Sequence, residues 1–278
     1  MTTTLVTGAT GKVGKHVVPL LAERGETVRA ASRHPDGEHG VRFDWADDST
    51  WDTALEGAER LFLVAQAEGV TDPTGPVLDL LERAQQAGVG RVVMLSAMGI
   101  QFAPDEIPLR RVEKAVQAAD VESTLVRPNW FDQNFNESIW LPTVREGRLP
   151  APVGDAEVSF VDTRDIAAVA VEALVADGHA GQEYTVTGPE AITFDEAAAA
   201  IAEASGRPVE RTHPSDDEFA ALVVGGGYPE GYAQMLVGLM QPMKQGANAP
   251  VDPAVEQVTG RRARTVAEFA RDHADDWR

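Results

Sequence analysis

Leu5-Val6-Thr7-Gly8-Ala9-Thr10-Gly11-Lys12-Val13-Gly14 carries a short apolar run straight into a turn punctuated by glycine at every third position. The apolar run reads as a strand, and Gly8-x-x-Gly11-x-x-Gly14 reads as a loop that binds a dinucleotide. Gly8 permits the tight turn out of the strand, Gly11 lets the main chain approach a pyrophosphate, and Gly14 lets the following helix pack closely on the sheet. The N–H groups at the start of that helix then face the negative charge. The chain holds 25 glycines, so the triplet alone says little, and its context decides. An amphipathic helix follows at once, with Val13, Val17, Leu20 and Leu21 on one face and Gly25 at its end.

Working outward, strands and helices alternate through the first half. Strands are expected over Thr27–Ser32, Val41–Trp45, Arg60–Ala65, Arg91–Ser96 and Ser123–Arg127, the last halted by Pro128. Helices are expected over Val77–Ala87, ended by Gly88 and Gly90, and over Leu109–Ala119. Near-continuous apolar strands separated by helices predict a parallel sheet covered on both faces. Right-handed crossovers make it a doubly wound α/β sheet of the Rossmann type, with its ligand crevice at the carboxyl ends of the strands. Beyond Pro128 the alternation loosens. A short strand is expected at Val158–Val161, a helix at Ile166–Val175, a strand that extends the sheet at Glu183–Thr187, and a helix at Ala197–Ala204. Thr193-x-x-Glu196 and Thr265-x-x-Glu268 have capping-box spacing. Gly225–Gly246 shows no strong alternation and suits a mobile wall over the crevice. The expected organisation is one unit over 1–278: a dinucleotide-binding core over 1–130, then a mixed region over 131–278. Within that region 158–187 returns to the core and the remainder forms a small C-terminal substrate lobe.

Composition narrows the partners. A formal charge of −20 argues against nucleic acid, which demands concentrated Lys and Arg. No apolar stretch is long enough to span a membrane, and Met1–Thr4 leaves no room for a signal peptide, so a cytoplasmic protein acting on a small molecule is expected. The chain contains no cysteine, which excludes disulfides, thiolate metal ligands and thiol chemistry. No metal site is expected.

The second strand ends Ala31-Ser32-Arg33-His34. A site that selects NAD places a carboxylate there for the ribose 2′-hydroxyl. Ser32 and Arg33 instead offer a hydroxyl and a cation to a 2′-phosphate, which favours NADP(H) over NAD(H). Asp44 is placed either to approach the adenine or to cap a turn.

Several stretches together resemble the NmrA-like group of atypical short-chain dehydrogenases/reductases. They are Gly8–Gly14, Ser32-Arg33, Asp44-Trp45, Leu95-Ser96-Ala97, Val126-Arg127-Pro128-Asn129-Trp130-Phe131-x-x-Asn134-Phe135, Phe160–Ala167 and Tyr184–Glu190. Within the group the chain is most similar to the branch of the festuclavine and agroclavine dehydrogenases and their bacterial relatives. The resemblance runs from Leu5 to about Phe269. It implies a Rossmann core, NADP(H), and a small lobe over the nicotinamide. The expected cofactor contacts are Gly8, Thr10, Gly11, Lys12, Val13, Gly14, Ser32, Arg33, Asp44, Val64, Ser96 and Pro128. The expected substrate contacts are Trp130, Phe131, Asn134 and Tyr228.

Ordinary short-chain dehydrogenases move the substrate proton with a Tyr-x-x-x-Lys pair. Counted back from Thr124, those positions fall near Asp105 and Leu109, which cannot do that work in the usual way. Lys114 lies one turn late, as a surface charge. Ser96 and Asp105 are the candidate catalytic groups: Ser96 to orient a ligand, and Asp105 as an acid only if burial raises its pKa. Reduction of an iminium tolerates this gap, because hydride goes to an already positive carbon. Trp130, Phe131 and Trp140 suit a flat cationic substrate, and suit lobe packing equally. The expected function is an NADPH-dependent reductase of a small organic substrate of iminium, enone or quinone type. The alternatives are a non-catalytic NADP(H)-binding redox sensor or regulator and a cofactor-assisted isomerase or cyclase.

Overall fold

The computed structural model describes residues 2–65 and 72–278. These fall into two compact units. The first takes Met1–Pro128, Thr163–Val186 and Gln257–Gly260, and the second takes Asn129–Asp162, Thr187–Glu256 and Arg261–Arg278.

Seven strands form the sheet of the first unit: β1 (Thr3–Val6), β2 (Thr27–Ser32), β3 (Gly40–Arg42), β4 (Arg60–Val64), β5 (Arg91–Leu95), β6 (Glu122–Pro128) and β7 (Glu183–Val186). Their order is β3-β2-β1-β4-β5-β6-β7, and every pairing is parallel. The chain leaves β1 in one direction to lay down β2 and β3, then returns to place β4 on the other side of β1. The order reverses there, so the carboxyl ends of β1 and β4 are where a doubly wound sheet opens its crevice. Leu5, Leu61, Leu63, Val92 and Met94 are fully buried, as central parallel strands require.

Helices cover both faces. One face carries α2 (Trp51–Leu55), α3 (Thr74–Ala87) and α4 (Pro108–Ala118), whose Leu55, Val77, Leu80, Val112 and Val116 join Leu61 and Val92 in one core. The helix α1 (Gly14–Glu23) packs with α5 (Thr163–Val175), which lies against β4, β5 and β6. Nearly every residue of α5 is buried, including Ile166, Val169 and Leu174. Arg24 at the end of α1 pairs with Glu172 of α5.

Two local expectations need correction. The third strand ends at Arg42 instead of reaching Trp45, because Asp44 starts a turn: its N–H donates to Thr50 Oγ1 at 3.0 Å, and Trp51 Nε1 donates to its carbonyl at 2.7 Å. Val158–Val161 does not form one strand returning to the main sheet. Glu157–Val158 pairs antiparallel with Ile192–Thr193, and Val161 bridges Phe131, both within the second unit. Between them Ser159 is tied down by its hydroxyl, which donates to Pro250 O at 2.8 Å.

The second unit is built around aromatic rings. Phe135, Trp140, Phe160 and Phe194 are buried against one another, with ring centroids 5.2–6.2 Å apart. Both expected capping boxes are present, at Thr193/Glu196 and Thr265/Glu268, and Ser215/Glu218 forms a third. Gly225–Gly246 is not an irregular wall. After Gly225 ends one helix (Asp216–Gly225), Gly227 turns at φ +91° and Pro229 starts another over Glu230–Lys244. Ala233, Leu236, Met240 and Met243 are its buried side.

Candidate functional site

The loop after β1 is organised around one carbonyl, that of Gly8. Gly11 N–H donates to it at 2.9 Å. A Cβ built on Gly11 would lie 3.1 Å from the same oxygen, and one on Gly14 would lie 2.1 Å from it. No side chain fits at Gly14 without moving backbone. Gly8 has φ +62°, and a Cβ there would press on Val64 at 3.2 Å. Its glycine therefore answers both a left-handed conformation and a close neighbour. Thr7 fixes the loop to β4: its hydroxyl donates to Phe62 O at 3.0 Å and accepts from Val64 N–H at 2.8 Å. Ala9 N–H reaches back to Ala31 O of β2 at 3.3 Å.

The exposed part of the loop is Gly8, Thr10 and Gly11, while Val13 and Gly14 are buried. Val13 thus has no side chain to offer a ligand, only main chain. As N-cap of α1 it makes no side-chain capping bond, and the first turn of α1 holds no acid. A glycine cradle at the positive end of a helix whose first turn holds no acid fits a pyrophosphate.

The other expected cofactor residues stand at the same end of the sheet. Ser32 closes β2 with Arg33 exposed just beyond it, Val64 closes β4, Ser96 follows β5, and Pro128 closes β6. Asp44 caps a turn, its Oδ1 accepting from Ala46 N–H at 3.0 Å. Pro128 is buried, and its carbonyl is taken by Met98 N–H at 2.9 Å.

Ser96 is not an open hydroxyl. Its Oγ donates to Glu113 Oε1 at 2.6 Å. Glu113 lies on α4, fully buried, and also accepts from Arg127 Nε at 2.7 Å, Arg127 Nη2 at 3.0 Å and Arg110 Nη1 at 2.9 Å. Arg127 continues to Glu183 of β7, which accepts from Gln117 as well. Burial pushes the Glu113 carboxyl upward, and the bonds from Arg127 and Ser96 outweigh it, holding the group below the usual carboxylate range. The sequence reading missed this network. Its one signal was Arg127 directly after Leu125-Val126 in the strand halted by Pro128, since a charge in a buried strand demands a buried partner.

Asp105 fails the condition set for it. It lies exposed, with Lys114 Nζ donating to its Oδ1 at 2.5 Å, and that hydrogen bond lowers its pKa. An ionised surface carboxylate is no proton donor. Lys114→Ala and Asp105→Asn should each keep turnover within about twofold of wild type. A fall of roughly a hundredfold in either, the signature of a lost general acid, would return the pair to the chemistry.

The expected substrate residues belong to the second unit. Trp130 is half-buried over Trp140, with ring centroids 6.0 Å apart, and its carbonyl accepts from Val161 N–H at 2.9 Å. Asn134 N–H donates to Phe131 O at 3.1 Å. Tyr228 stacks on Tyr232 at 5.1 Å and lines a cavity of about 110 Å³ with Trp140, Phe219 and Val223. Trp130, Phe131 and Asn134 do not line that cavity. Trp140 is a core residue: it is fully buried, and its indole N–H is spent on Pro150 O at 2.7 Å.

A family model for NAD(P)H binding matches residues 8–177, from the first loop glycine to just past α5. The chain belongs to the NAD(P)H-binding family. The (4-alkanoyl-5-oxo-2,5-dihydrofuran-3-yl)methyl phosphate reductase of Streptomyces griseus is 38% identical, across 98% of each chain. Agroclavine dehydrogenase of Claviceps fusiformis is 29% identical, over 99% of this chain and 98% of its own, which bears out the resemblance to that branch. The structure of an NADPH-dependent quinone oxidoreductase of Escherichia coli, complexed with NADPH, superposes with a TM-score of 0.83 at 25% identity, over 96% of this chain and 98% of that one. This NAD(P)H-binding chain is accordingly an oxidoreductase of a reductase family whose members act on small molecules. Among its described residues no helix is long and apolar enough to cross a membrane.

Proposed function

We propose that the protein is an NADPH-dependent reductase that delivers hydride to an electron-poor carbon conjugated to a carbonyl or iminium group. The observation that carries this reading is the state of the two candidate proton donors. Ser96 gives its hydrogen to Glu113, and Asp105 is an ionised surface group. A substrate whose carbon accepts hydride without prior protonation suits such a site; an isolated ketone, which needs an acid at its oxygen, does not. The dinucleotide supplies the hydride. The chain's own part is to hold it at Gly8, Thr10, Gly11, Lys12 and Gly14, with the main chain of Val13, and so fix the donor carbon against the substrate. The product oxygen or carbon then takes its proton from water.

Two of the similar proteins share that substrate chemistry. An oxo-dihydrofuran and a quinone both present a carbon–carbon double bond conjugated to a carbonyl. Trp130, Phe131, Asn134 and Tyr228 are the proposed substrate contacts. Oxidation of NADPH should be followed with a quinone, an unsaturated lactone, a cyclic iminium salt and a saturated ketone. The first three should include the fastest acceptor. Turnover of the saturated ketone above all three would overturn the reading.

The preference for NADPH is part of the same proposal and rests on Ser32 and Arg33 at the end of β2. Arg33→Ala should weaken NADPH by about 1.5–3 kcal/mol, the worth of a hydrogen bond to a charged group, and leave NADH nearly unchanged. Equal affinities of the wild type for both dinucleotides in a calorimetric titration would refute it.

A further inference from the structure

Ser96 stands at the carboxyl end of β5, two strands across the sheet from the glycine loop. The registers Val6↔Phe62, Phe62↔Val93 and Val64↔Leu95 keep the ends of β1, β4 and β5 nearly level. Two strand spacings amount to roughly 10 Å, well within the length of an extended dinucleotide whose pyrophosphate sits on the loop. A serine hydroxyl has one hydrogen to donate and two lone pairs to accept with. Here the hydrogen is committed. Glu113 Oε1 takes it at 2.6 Å, and three guanidinium N–H bonds from Arg127 and Arg110 keep that carboxylate anionic and in place. A carboxylate cannot return a hydrogen to Ser96, so the hydroxyl cannot reverse its direction without losing a charge-assisted bond.

Resting on the cofactor reading above, we infer that Glu113 makes Ser96 an acceptor-only group, and that Ser96 recognises the amide N–H of the nicotinamide carboxamide. Glu113 is then a positioning residue, acting through the hydroxyl it orients. A serine at this strand end with a free hydrogen would serve an acceptor, such as a substrate oxygen. This one selects a donor, and the carboxamide NH₂ is the donor the dinucleotide carries at its reactive ring.

The test compares NADP⁺ with its 3-acetylpyridine analogue, which keeps the ring carbonyl and replaces the NH₂ with a methyl group. Calorimetric affinities are measured for wild type, Ser96→Ala and Ser96→Thr, with the NAD⁺ pair alongside and folding checked by circular dichroism. Wild type should favour the natural dinucleotide about five- to tenfold more than Ser96→Ala does, the ratio expected of one neutral hydrogen bond. Ser96→Thr, which keeps a hydroxyl, should retain the preference. A purely structural serine would weaken both dinucleotides alike. If Ser96→Ala binds NADP⁺ and keeps the wild-type ratio, the inference is overturned while the cofactor reading stands. If the wild type binds none of the four dinucleotides, the cofactor reading falls and takes the inference with it.

Discussion

Gly14→Ala is expected to cost at least about a hundredfold in dinucleotide affinity, about 2.7 kcal/mol, and to lower the melting temperature. The added methyl would sit 2.1 Å from Gly8 O, 2.8 Å from Gly8 C and 2.9 Å from Ala9 Cα. All three are main-chain atoms, so no rotamer change relieves the collision. Either α1 moves off the loop or the loop opens. Opening it misplaces the N–H groups meant for the pyrophosphate, each worth about 1.5–3 kcal/mol to a charged acceptor; moving the helix strains the core by about 1–3 kcal/mol. Gly75→Ala is the control. A Cβ there meets nothing within 4 Å, and the residue lies in α3, where alanine is the better helix former. Gly75→Ala should bind and melt like the wild type or slightly better. A Gly14→Ala protein that bound NADPH normally by calorimetry would show that the loop is not the cofactor site.

Glu113→Ala should be the most destabilising single change in the first unit apart from large cavities in the core. It leaves the buried Arg127 guanidinium without the carboxylate that receives two of its N–H groups. Breaking a buried pair from one side typically costs about 3–5 kcal/mol, because the remaining charge stays desolvated. Urea unfolding gives the number directly. pH gives a second reading with a definite sign. The folded-state pKa of Glu113 is depressed, so its stabilisation is complete above its unfolded value, about 4.3, and is lost as pH falls through the folded value. The stability gap between wild type and Glu113→Ala should therefore be constant near neutrality and shrink below about pH 4.3. A gap that widened on acidification would mean that the carboxylate is not the group holding Arg127.

These two residues also mark what could be read from the amino-acid order alone. Gly14 was legible because its reason is local: a turn, a strand before it and a helix after it lie within fifteen residues of the amino terminus. The strands around it were legible for a similar reason, since a parallel strand buried on both faces must be apolar throughout. Glu113 was not legible. On α4 it follows Arg110 and Arg111 and precedes Lys114, and such a sequence reads as a solvated face. Its burial depends on Ser96, just after β5, and on Arg127 of β6, and within the helix it is bonded by Arg110. Asp105 misled in the opposite sense: its position suggested chemistry, and its partner Lys114, nine residues on, makes it an ordinary surface charge. The helix over Glu230–Lys244 was hidden by the glycines at 225–227, which shape the turn before it, and by Gly231 and Gly238 within it.

The chain passes between its two units five times, at 128/129, 162/163, 186/187, 256/257 and 260/261. During synthesis the first six strands emerge long before the helix and strand that complete their layer, since α5 and β7 end only at residues 175 and 186 of 278. Until then β6 is a bare sheet edge, and the surface later hidden by Ile166, Val169 and Leu174 faces water. A nascent or truncated chain stopping near residue 130 is therefore an aggregation hazard and not a miniature of the finished sheet. For anyone cutting this protein, a break at a unit boundary separates strands and helices that complete one layer only together.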